Sequence, residues 1–403
     1  MPGRPGRGYD PTPGFTDLQW YLFHQRNIAY FAAFSARDYD ERSAVTSARL
    51  LVRLMPQLAT AFRGAAPGRR IPDEVLARIV SIETVDTFDG FPEHGLDDGM
   101  SVYADAEVPF FRIRVARLAD GPDAAGRRSF VLVWVSHVFV EGTDSAELSR
   151  SRPAAHPEAG PAPRSPAPIV FAARLFAAFA IPGHLLASRV VTPHPGRVRC
   201  ATQAVPRRKF ADMARALGVR QRALMMALTA HVISGAGLPG GKRKISTTYS
   251  TLGAGGGAHR DPFMRMRMLF AAVENRDDFA GFARALDARL SAAEARESGF
   301  NAEMNAAAVR FHRRLARWLP FLYGPKVFAF MPYDLVFALI PPHRLAGPLV
   351  GGLLEPVYAG ATMPGSNGCV VVPGRAYATF NFYLEEALLP NLARLDRILN
   401  PPH

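Results

Sequence analysis

His137 is the side chain of this sequence best placed for acid–base chemistry. It follows an apolar and aromatic run that starts at Phe130, and Glu141 and Gly142 come shortly after it. Apolar surroundings lower the pKa of an imidazole and favour its neutral form, which can accept a proton. Gly142 permits a sharp turn and leaves room for a group to approach the backbone. These residues predict a neutral imidazole that is fixed at the end of a strand and can accept a proton.

Two elements must hold these residues in place. The run from Phe130 to Ser136 contains no charge, which predicts a buried strand. Asp144 and Glu147 are spaced as an N-cap and its capping-box partner, which predicts a helix after the glycine. A second interpretation stays open, in which the histidine is bonded to backbone at the strand end and the nearby acid belongs to an ordinary loop.

The segment Ser136-His137-Val-Phe-Val-Glu141-Gly142 resembles the HHxxxDG motif of the CoA-dependent acyltransferase superfamily. That superfamily includes chloramphenicol acetyltransferases, the condensation domains of peptide synthetases and the bacterial wax ester synthase/diacylglycerol acyltransferases. Ser136 replaces the first histidine of the motif, and Glu141 replaces its aspartate. The resemblance implies that His137 is the general base. It also implies that backbone N–H groups near Gly142, at the start of the following helix, help to stabilise an oxyanion.

An arginine on the preceding strand completes the motif in the superfamily, where it pairs with the acid and fixes the loop. Arg112, in the predicted strand Val108–Leu118, matches that position. The resemblance therefore implies that Glu141 is a structural acid paired with Arg112. A solvated strand charge is the alternative for Arg112, but an unpaired acid after a buried strand would be costly, which favours the pair.

Similarity to the wax synthase-like enzymes continues in the second half of the chain. Ala214–Ala230 is similar to a helix pair of that family, although Gln221-Arg222 stands where the family has Asn-Asp. Leu353–Thr362 is similar to its PLxxAGA segment. Val370–Tyr383 predicts two strands around a Pro-Gly turn, with a last helix at Pro390–Leu399. The resemblance covers about residues 100–148 and 205–400, with the motifs in the family's order.

Length and composition allow a globular protein with more than one domain. The chain has 403 residues, 48% of them hydrophobic and 21% charged. Its two cysteines have no metal-ligand spacing, so neither a metal site nor a disulfide framework is predicted. The formal net charge of +13 favours an anionic partner. Because no nucleic-acid-binding motif is recognised, the phosphates of coenzyme A and anionic lipid are the predicted partners.

A proline-rich segment divides the chain. Residues 149–168 contain many prolines and no apolar period, which predicts a linker. We therefore expect an N-terminal domain over 1–165 and a C-terminal domain over 169–403. The resemblance implies an α/β fold of two chloramphenicol-acetyltransferase-like domains, each a mixed β-sheet with helices, forming a V with a central channel. Helices are also predicted at Ala44–Phe62 and at Ile169–Arg189, the latter kinked or broken near Pro182.

Two further groups of residues are candidates for the site. Lys242, Arg243 and Lys244 are candidates for contacts to the phosphates of coenzyme A, with a solvated loop as the favoured alternative. Ser366 and Asn367 are candidates for a polar contribution from the second domain, with plain turn residues as the favoured alternative.

The segment Phe311–Phe330 mixes aromatic residues with positive charges. This composition is typical of a segment at a membrane interface, and also of a helix packed on its own domain with its arginines reaching solvent, which is the favoured interpretation. The N-terminus has no apolar core typical of a signal peptide. We expect a cytoplasmic protein, with peripheral contact to an anionic inner membrane surface as an additional expectation.

The function that the resemblance implies is acyl transfer from acyl-CoA to a hydroxyl-bearing lipid, such as a fatty alcohol or diacylglycerol. Acyl-CoA enters as substrate, and no separate cofactor is predicted. Three alternatives stay open: a condensation-like enzyme that uses a carrier-protein thioester and an amine, an inactive relative that binds lipid or protein, and a basic membrane-surface protein without catalysis.

Overall fold

Two β-sheets with packed helices make up the part of the chain that the computed structural model describes, namely residues 15–54, 56–59, 62–65, 70–89, 91, 99–138, 166–190, 198–234, 244–252, 266–274, 278–296, 300–323, 327, 334–340, 350–362 and 367–400. The helices are α1 (Asp17–Gln25), α2 (Glu41–Leu54), α3 (Asp73–Ala77), α4 (Ala167–Val190), α5 (Arg207–Leu217), α6 (Gln221–Ser234), α7 (Phe279–Arg296), α8 (Phe300–Trp318) and α9 (Leu392–Leu399). The strands are β1 (Ile28–Ser35), β2 (Val80–Val85), β3 (Phe111–Leu118), β4 (Ser129–Ser136), β5 (Val198–Pro206), β6 (Lys244–Leu252), β7 (Met266–Glu274), β8 (Leu335–Leu339), β9 (Leu353–Thr362), β10 (Gly368–Pro373) and β11 (Tyr377–Glu385). Short 3₁₀ turns lie at Pro56–Ala59, Gly99–Tyr103, Pro320–Leu322 and Glu386–Asn391.

The first sheet has the strand order β2-β3-β4-β1-β9. At its centre β1 and β4 pair antiparallel, with Ile28 opposite Ser136. Both strands are buried along nearly their whole length, which explains why each is a continuous apolar run. β9 comes from late in the chain and pairs antiparallel with the other side of β1. Gly360 of β9 lies opposite Tyr30, where the phenol ring leaves no room for a Cβ atom.

The second sheet has the order β5-β11-β10-β8-β6-β7. β8 is parallel to β6 and β10, whereas β6 and β7 are antiparallel. α6 is apolar and almost wholly buried, and it contacts α5, α7, α9 and the strands β6 and β8. α5 ends at Gly218, whose φ of 66° suits glycine because a side chain is disfavoured there.

Contacts divide the described residues into two units. The first unit holds β1–β4 and β9, and its residues lie within Met1–Ala159, Ile340–Thr362 and Val372–Thr379. The second unit's residues lie within Gly160–Leu339, Met363–Val371 and Phe380–His403. The sequence-based boundaries assign all of 169–403 to a C-terminal domain, whereas the contacts place β9 with the first sheet.

α4 turns its bulky apolar side chains outward. Ala173, Ala177 and Ile181 are buried, and the helix contacts α8. In contrast, Phe171 and Phe179 are 69% and 74% exposed. Within the described chain, the Ala167–Ser188 part of this helix meets the length and composition required to cross a bilayer.

Most elements predicted from the sequence are confirmed, including β3, β4, α5, α6 and the β10–β11 pair. One helix prediction is corrected, and for α4 the broken alternative is excluded whereas the kinked one stays a prediction. α2 ends at Leu54 rather than Phe62, because Pro56 has no N–H to continue it. α4 continues through Pro182 and is not broken there. Pro182 itself is exposed, so the hydrogen bond that it cannot donate is missing on the solvent-facing side of the helix.

Candidate active site

His137 directly follows β4 and is held to β1 by its backbone. Its N–H donates to the carbonyl of Asn27 at 2.9 Å, which continues the β1–β4 pairing one residue beyond the strand. The preceding N–H, that of Ser136, donates to the carbonyl of Phe110 at 2.9 Å. Bonds to strands on both sides therefore fix the backbone from which the imidazole projects.

Ser136 occupies the place of the motif's first histidine and is fully buried. Its Oγ lies 2.8 Å from the hydroxyl of Tyr103, and that hydroxyl lies 2.8 Å from the carbonyl oxygen of Asn27. A carbonyl only accepts, so the single phenolic proton goes to Asn27, and Ser136 donates to Tyr103. The same serine oxygen accepts from the N–H of Val138 at 3.4 Å. The network thus holds the backbone before and after His137.

α1 binds the backbone of the residue that follows His137. Gln19 donates from Nε2 to the carbonyl of Val138 at 3.4 Å. Gln19 also forms a capping box with Thr16 at the start of α1, so its side-chain oxygen is held by backbone while its amide reaches the site. Val138 itself is fully buried.

The imidazole of His137 is neutral near neutral pH. Burial lowers its pKa, and the backbone of His137 itself opposes that effect. Nδ1 is buried and has no hydrogen bond to another described residue. A neutral imidazole has one unprotonated ring nitrogen, and that nitrogen can accept a proton from a substrate.

Arg112 lies on β3 opposite Trp134 of β4. Its Nη1 donates to the carbonyls of Pro109 at 2.9 Å and Phe111 at 2.7 Å. Burial lowers the pKa of the guanidinium, and the charge of Asp105 opposes that effect. The side chain is half-buried and bonded to backbone, which argues against the solvated interpretation of Arg112. Its predicted partner, Glu141, lies outside the described residues, and the pair stays a prediction.

The remaining predicted residues lie partly outside the described chain. Gly142, Ser366, Lys242 and Arg243 are outside it, as are the predicted capping residues of the helix after His137. Lys244 is the first residue of β6.

Asn367 is buried before β10. Its Oδ1 accepts from the N–H of Glu385 at 2.9 Å, and its backbone carbonyl accepts from the N–H of Val336 at 3.0 Å. Its amide oxygen thus connects the start of β10 to the end of β11.

Three residues of the site, Asn27, Tyr103 and Gln19, are absent from the sequence-based candidates. The apolar run Ile28–Phe34 could have indicated β1, and a polar residue directly before a central strand could then have been placed beside His137. The sequence carries no such signal for Tyr103, which lies 33 residues from Ser136 in a 3₁₀ turn.

Neither cysteine is suited to act as a nucleophile. Cys200 and Cys369 are both buried and not joined in a disulfide. Burial raises the pKa of Cys369 to about 12, so it is a neutral thiol at physiological pH. Among the described residues, no cluster of three or more His, Cys, Asp or Glu side chains forms a metal site.

No family model matches the chain, and no curated protein sequence matches it. Solved structures do match across nearly its whole length. Trichothecene 15-O-acetyltransferase TRI3 from Fusarium sporotrichioides is 11% identical and has a TM-score of 0.60, with 94% of this chain and 93% of that chain covered. Wax ester synthase/diacylglycerol acyltransferase from Marinobacter aquaeolei VT8 is 14% identical with a TM-score of 0.53, and 96% of each chain is covered.

A third similar structure is the first condensation domain of the CDA synthetase. It is 15% identical with a TM-score of 0.51, and the match covers 96% of this chain and 94% of that chain. At such identities the similarity is one of fold. The mixed sheets, their packed helices and these matches agree, and the chain has the fold that CoA-dependent acyltransferases share with peptide-synthetase condensation domains.

Proposed function

We propose that this protein transfers an acyl group from acyl-CoA to a hydroxyl group, with His137 as the general base. The observation that carries the proposal is the state of His137: a half-buried, neutral imidazole whose backbone is bonded on both sides of a rigid strand end. A general base needs this combination of fixed position and unprotonated nitrogen.

In the proposed reaction, Nε2 is the unprotonated ring nitrogen of His137 and Nδ1 carries the proton. Nε2 takes the proton from the acceptor hydroxyl as that oxygen attacks the thioester carbonyl. The carbon–sulfur bond then breaks, and the same nitrogen returns the proton to the departing sulfur, which leaves an ester and free coenzyme A. Nδ1 keeps its proton throughout, so the ring becomes an imidazolium only between the two transfers.

Ser136 stands where the motif has its first histidine. Together with Tyr103 it holds the backbone around His137. Their hydroxyls form a chain of bonds from Val138 through Ser136 and Tyr103 to the carbonyl of Asn27. The substitution of serine for histidine is therefore compatible with a working base, because the backbone around His137 stays bonded. Glu141 is proposed to brace the loop through Arg112, and Gly142 to leave its N–H to the oxyanion.

Two features support an acyl-CoA donor and an oxygen acceptor. The net charge of +13 suits a donor that carries several phosphate charges. Two of the similar structures are named as enzymes that acylate oxygen, one a 15-O-acetyltransferase and the other a wax ester synthase. The proposed acceptor class is a hydroxyl-bearing lipid.

Purified protein incubated with acyl-CoA of several chain lengths and a panel of fatty alcohols, diacylglycerol and amines tests the proposal. We expect free thiol to appear with hydroxyl acceptors, and His137→Ala to lower its rate by about 10²–10⁴-fold. His24→Ala, which removes an exposed histidine of α1, is the matched control and should keep the rate. Release with amines alone, or an unchanged rate in His137→Ala, would contradict the proposal.

A further inference from the structure

The C-terminal end of α8 exposes aromatic side chains to solvent. Trp318 is 80% exposed, and Phe321, in the 3₁₀ turn that follows, is 77% exposed. Among the described large hydrophobic side chains these two are the most exposed. Val309 and His312, on the other side of α8, are buried, so the helix packs one face and leaves the other in solvent.

Positive charge accompanies these aromatic residues. Arg314 and Arg317 are exposed, and their spacing places them on the same face of α8 as Trp318. We call Arg314, Arg317, Trp318 and Phe321 the α8 tip. From residue 304 to 323 the sequence contains four arginines and no acid. Glu303, the acid of α8, lies about 16 Å from Arg314 along the helix axis, at 1.5 Å per residue.

Stabilisation of α8 would explain the arginines of this surface but not its exposed aromatic residues. Arginines in the last turn interact favourably with the helix dipole. That effect requires no exposed tryptophan or phenylalanine, and proteins rarely leave such large apolar side chains together in water. Tryptophan beside arginine is the composition found where a protein meets a bilayer, because the indole favours the interface and the guanidinium binds lipid phosphate.

We propose that the α8 tip is a contact surface for an anionic lipid bilayer. Arg314 and Arg317 bind the phosphate of lipid headgroups, while Trp318 and Phe321 insert at the boundary between headgroups and acyl chains. An anionic bilayer fits the α8 tip because the tip is positively charged and residues 304–323 contain no acid. The inference goes beyond the acyl transfer proposed above and does not depend on it.

Vesicle sedimentation with the full chain, without acyl-CoA, tests the proposal. Wild-type protein should bind vesicles of phosphatidylglycerol and phosphatidylcholine, and should bind pure phosphatidylcholine weakly. Arg314→Gln/Arg317→Gln should lower partitioning to the anionic vesicles by about 30-fold, the effect of two basic side chains near an anionic surface. Trp318→Ser/Phe321→Ser should lower it by at least about tenfold through lost apolar insertion.

A control variant separates the tip from the overall charge. Arg208 and Arg215 of α5 are 94% and 79% exposed, so Arg208→Gln/Arg215→Gln removes the same two charges elsewhere. This control should bind as wild type does. An equal loss in the control would overturn the proposal, and so would normal binding by both tip variants when thermal unfolding shows all proteins folded.

Two other outcomes would also overturn it. Loss of binding only in Phe171→Ser/Phe179→Ser would place the membrane contact on α4. Self-association in solution that the tip variants abolish, with vesicle binding unchanged, would make a second copy of the chain the occupant of the tip.

Discussion

His137 owes its proposed role to a pKa that burial lowers, so its activity should depend on pH in a defined direction. Below the pKa of the folded protein the ring is protonated and cannot act as a base. Because that pKa lies under the ordinary 6.5, kcat/KM should hold down to pH 6.5 and fall only on further acidification. A pH–rate profile with its acidic inflection above 6.5 would contradict the assignment.

Tyr103 is the residue through which Ser136 reaches Asn27, and its hydroxyl can be removed without changing the ring. Tyr103→Phe leaves the buried Ser136 without its acceptor, which should lower the free energy of unfolding by about 1–3 kcal/mol. Because the backbone beside His137 then loosens, kcat should fall more than KM changes. Tyr377→Phe, at an exposed position of β11, is the control and should change neither quantity.

Arg112 and Glu141 provide a test of the predicted pair by a double-mutant cycle. If the two side chains pair in a buried position, Arg112→Ala and Glu141→Ala should each cost about 3–5 kcal/mol. The double variant should cost clearly less than the sum, because the second change removes the charge that the first left unpaired. Four denaturation midpoints measure this, and additive losses would show that the two residues do not touch.

The sequence indicated the proposed catalytic residue more readily than the residues that hold its backbone in place. His137 stood out because a titratable side chain ends an uncharged run. Asn27 and Tyr103 act through a backbone carbonyl and a phenol that lie far from His137 in sequence, and no short spacing records such contacts.

Helices and strands with a clear hydrophobic pattern could be predicted from the sequence, and those without such a pattern could not. α5 and α6 follow from helical spacing that ends at Gly218, and β4 from its uncharged apolar run. β1 went unpredicted although Ile28–Ser35 is equally apolar, because alanines within it weaken the preference for a strand. The predicted end of α2 was too late because apolar residues keep a helical spacing beyond Pro56. The helix itself cannot continue there, since proline has no N–H to donate.

α4 and α8 meet at a pair of histidines, which should make their packing sensitive to acid. The rings of His184 and His312 are 5.2 Å apart, and Nδ1 of His312 bonds the hydroxyl of Tyr323 at 2.9 Å. Burial, with a smaller contribution from His184, lowers the pKa of His312 to about 4. The unfolded chain therefore binds a proton at a higher pH than the folded one does.

The expected loss of stability lies between pH 6.5 and about 4. Above 6.5 neither state is protonated, and across the window the free energy of unfolding should fall by up to about 3 kcal/mol from His312. Urea unfolding at several pH values measures this. His312→Gln should flatten the dependence, while His24→Gln, an exposed control, should keep it; equal slopes in all three proteins would rule out His312 as its source.

Across the whole molecule, a net charge of +13 should make acyl-CoA binding depend on salt. Screening weakens attraction to the phosphates, so raising the salt from 0.01 M to 1 M should weaken binding by roughly tenfold or more. An acyl thioester of N-acetylcysteamine carries no phosphate and is the matched control, with affinity nearly independent of salt. Equal affinity for acyl-CoA at all salt concentrations would contradict a basic binding surface.

The fold class was predictable at this scale because motifs appear along the chain in a known order. The sequence did not show to which of the two sheets each strand belongs. β9 resembles a segment of the family by its residues, yet nothing in Leu353–Thr362 indicates pairing with a strand more than 300 residues earlier.

That position of β9 has a consequence for synthesis of the protein. At about 10 residues per second, a ribosome reaches Thr362 roughly half a minute after it has made Ser35. Until then one side of β1 has no partner, and an apolar strand with an open edge readily pairs with other chains. The first sheet is therefore completed only after β9 has been synthesised. The nascent chain must be shielded meanwhile, and a fragment cut at the proline-rich segment would carry that open edge permanently.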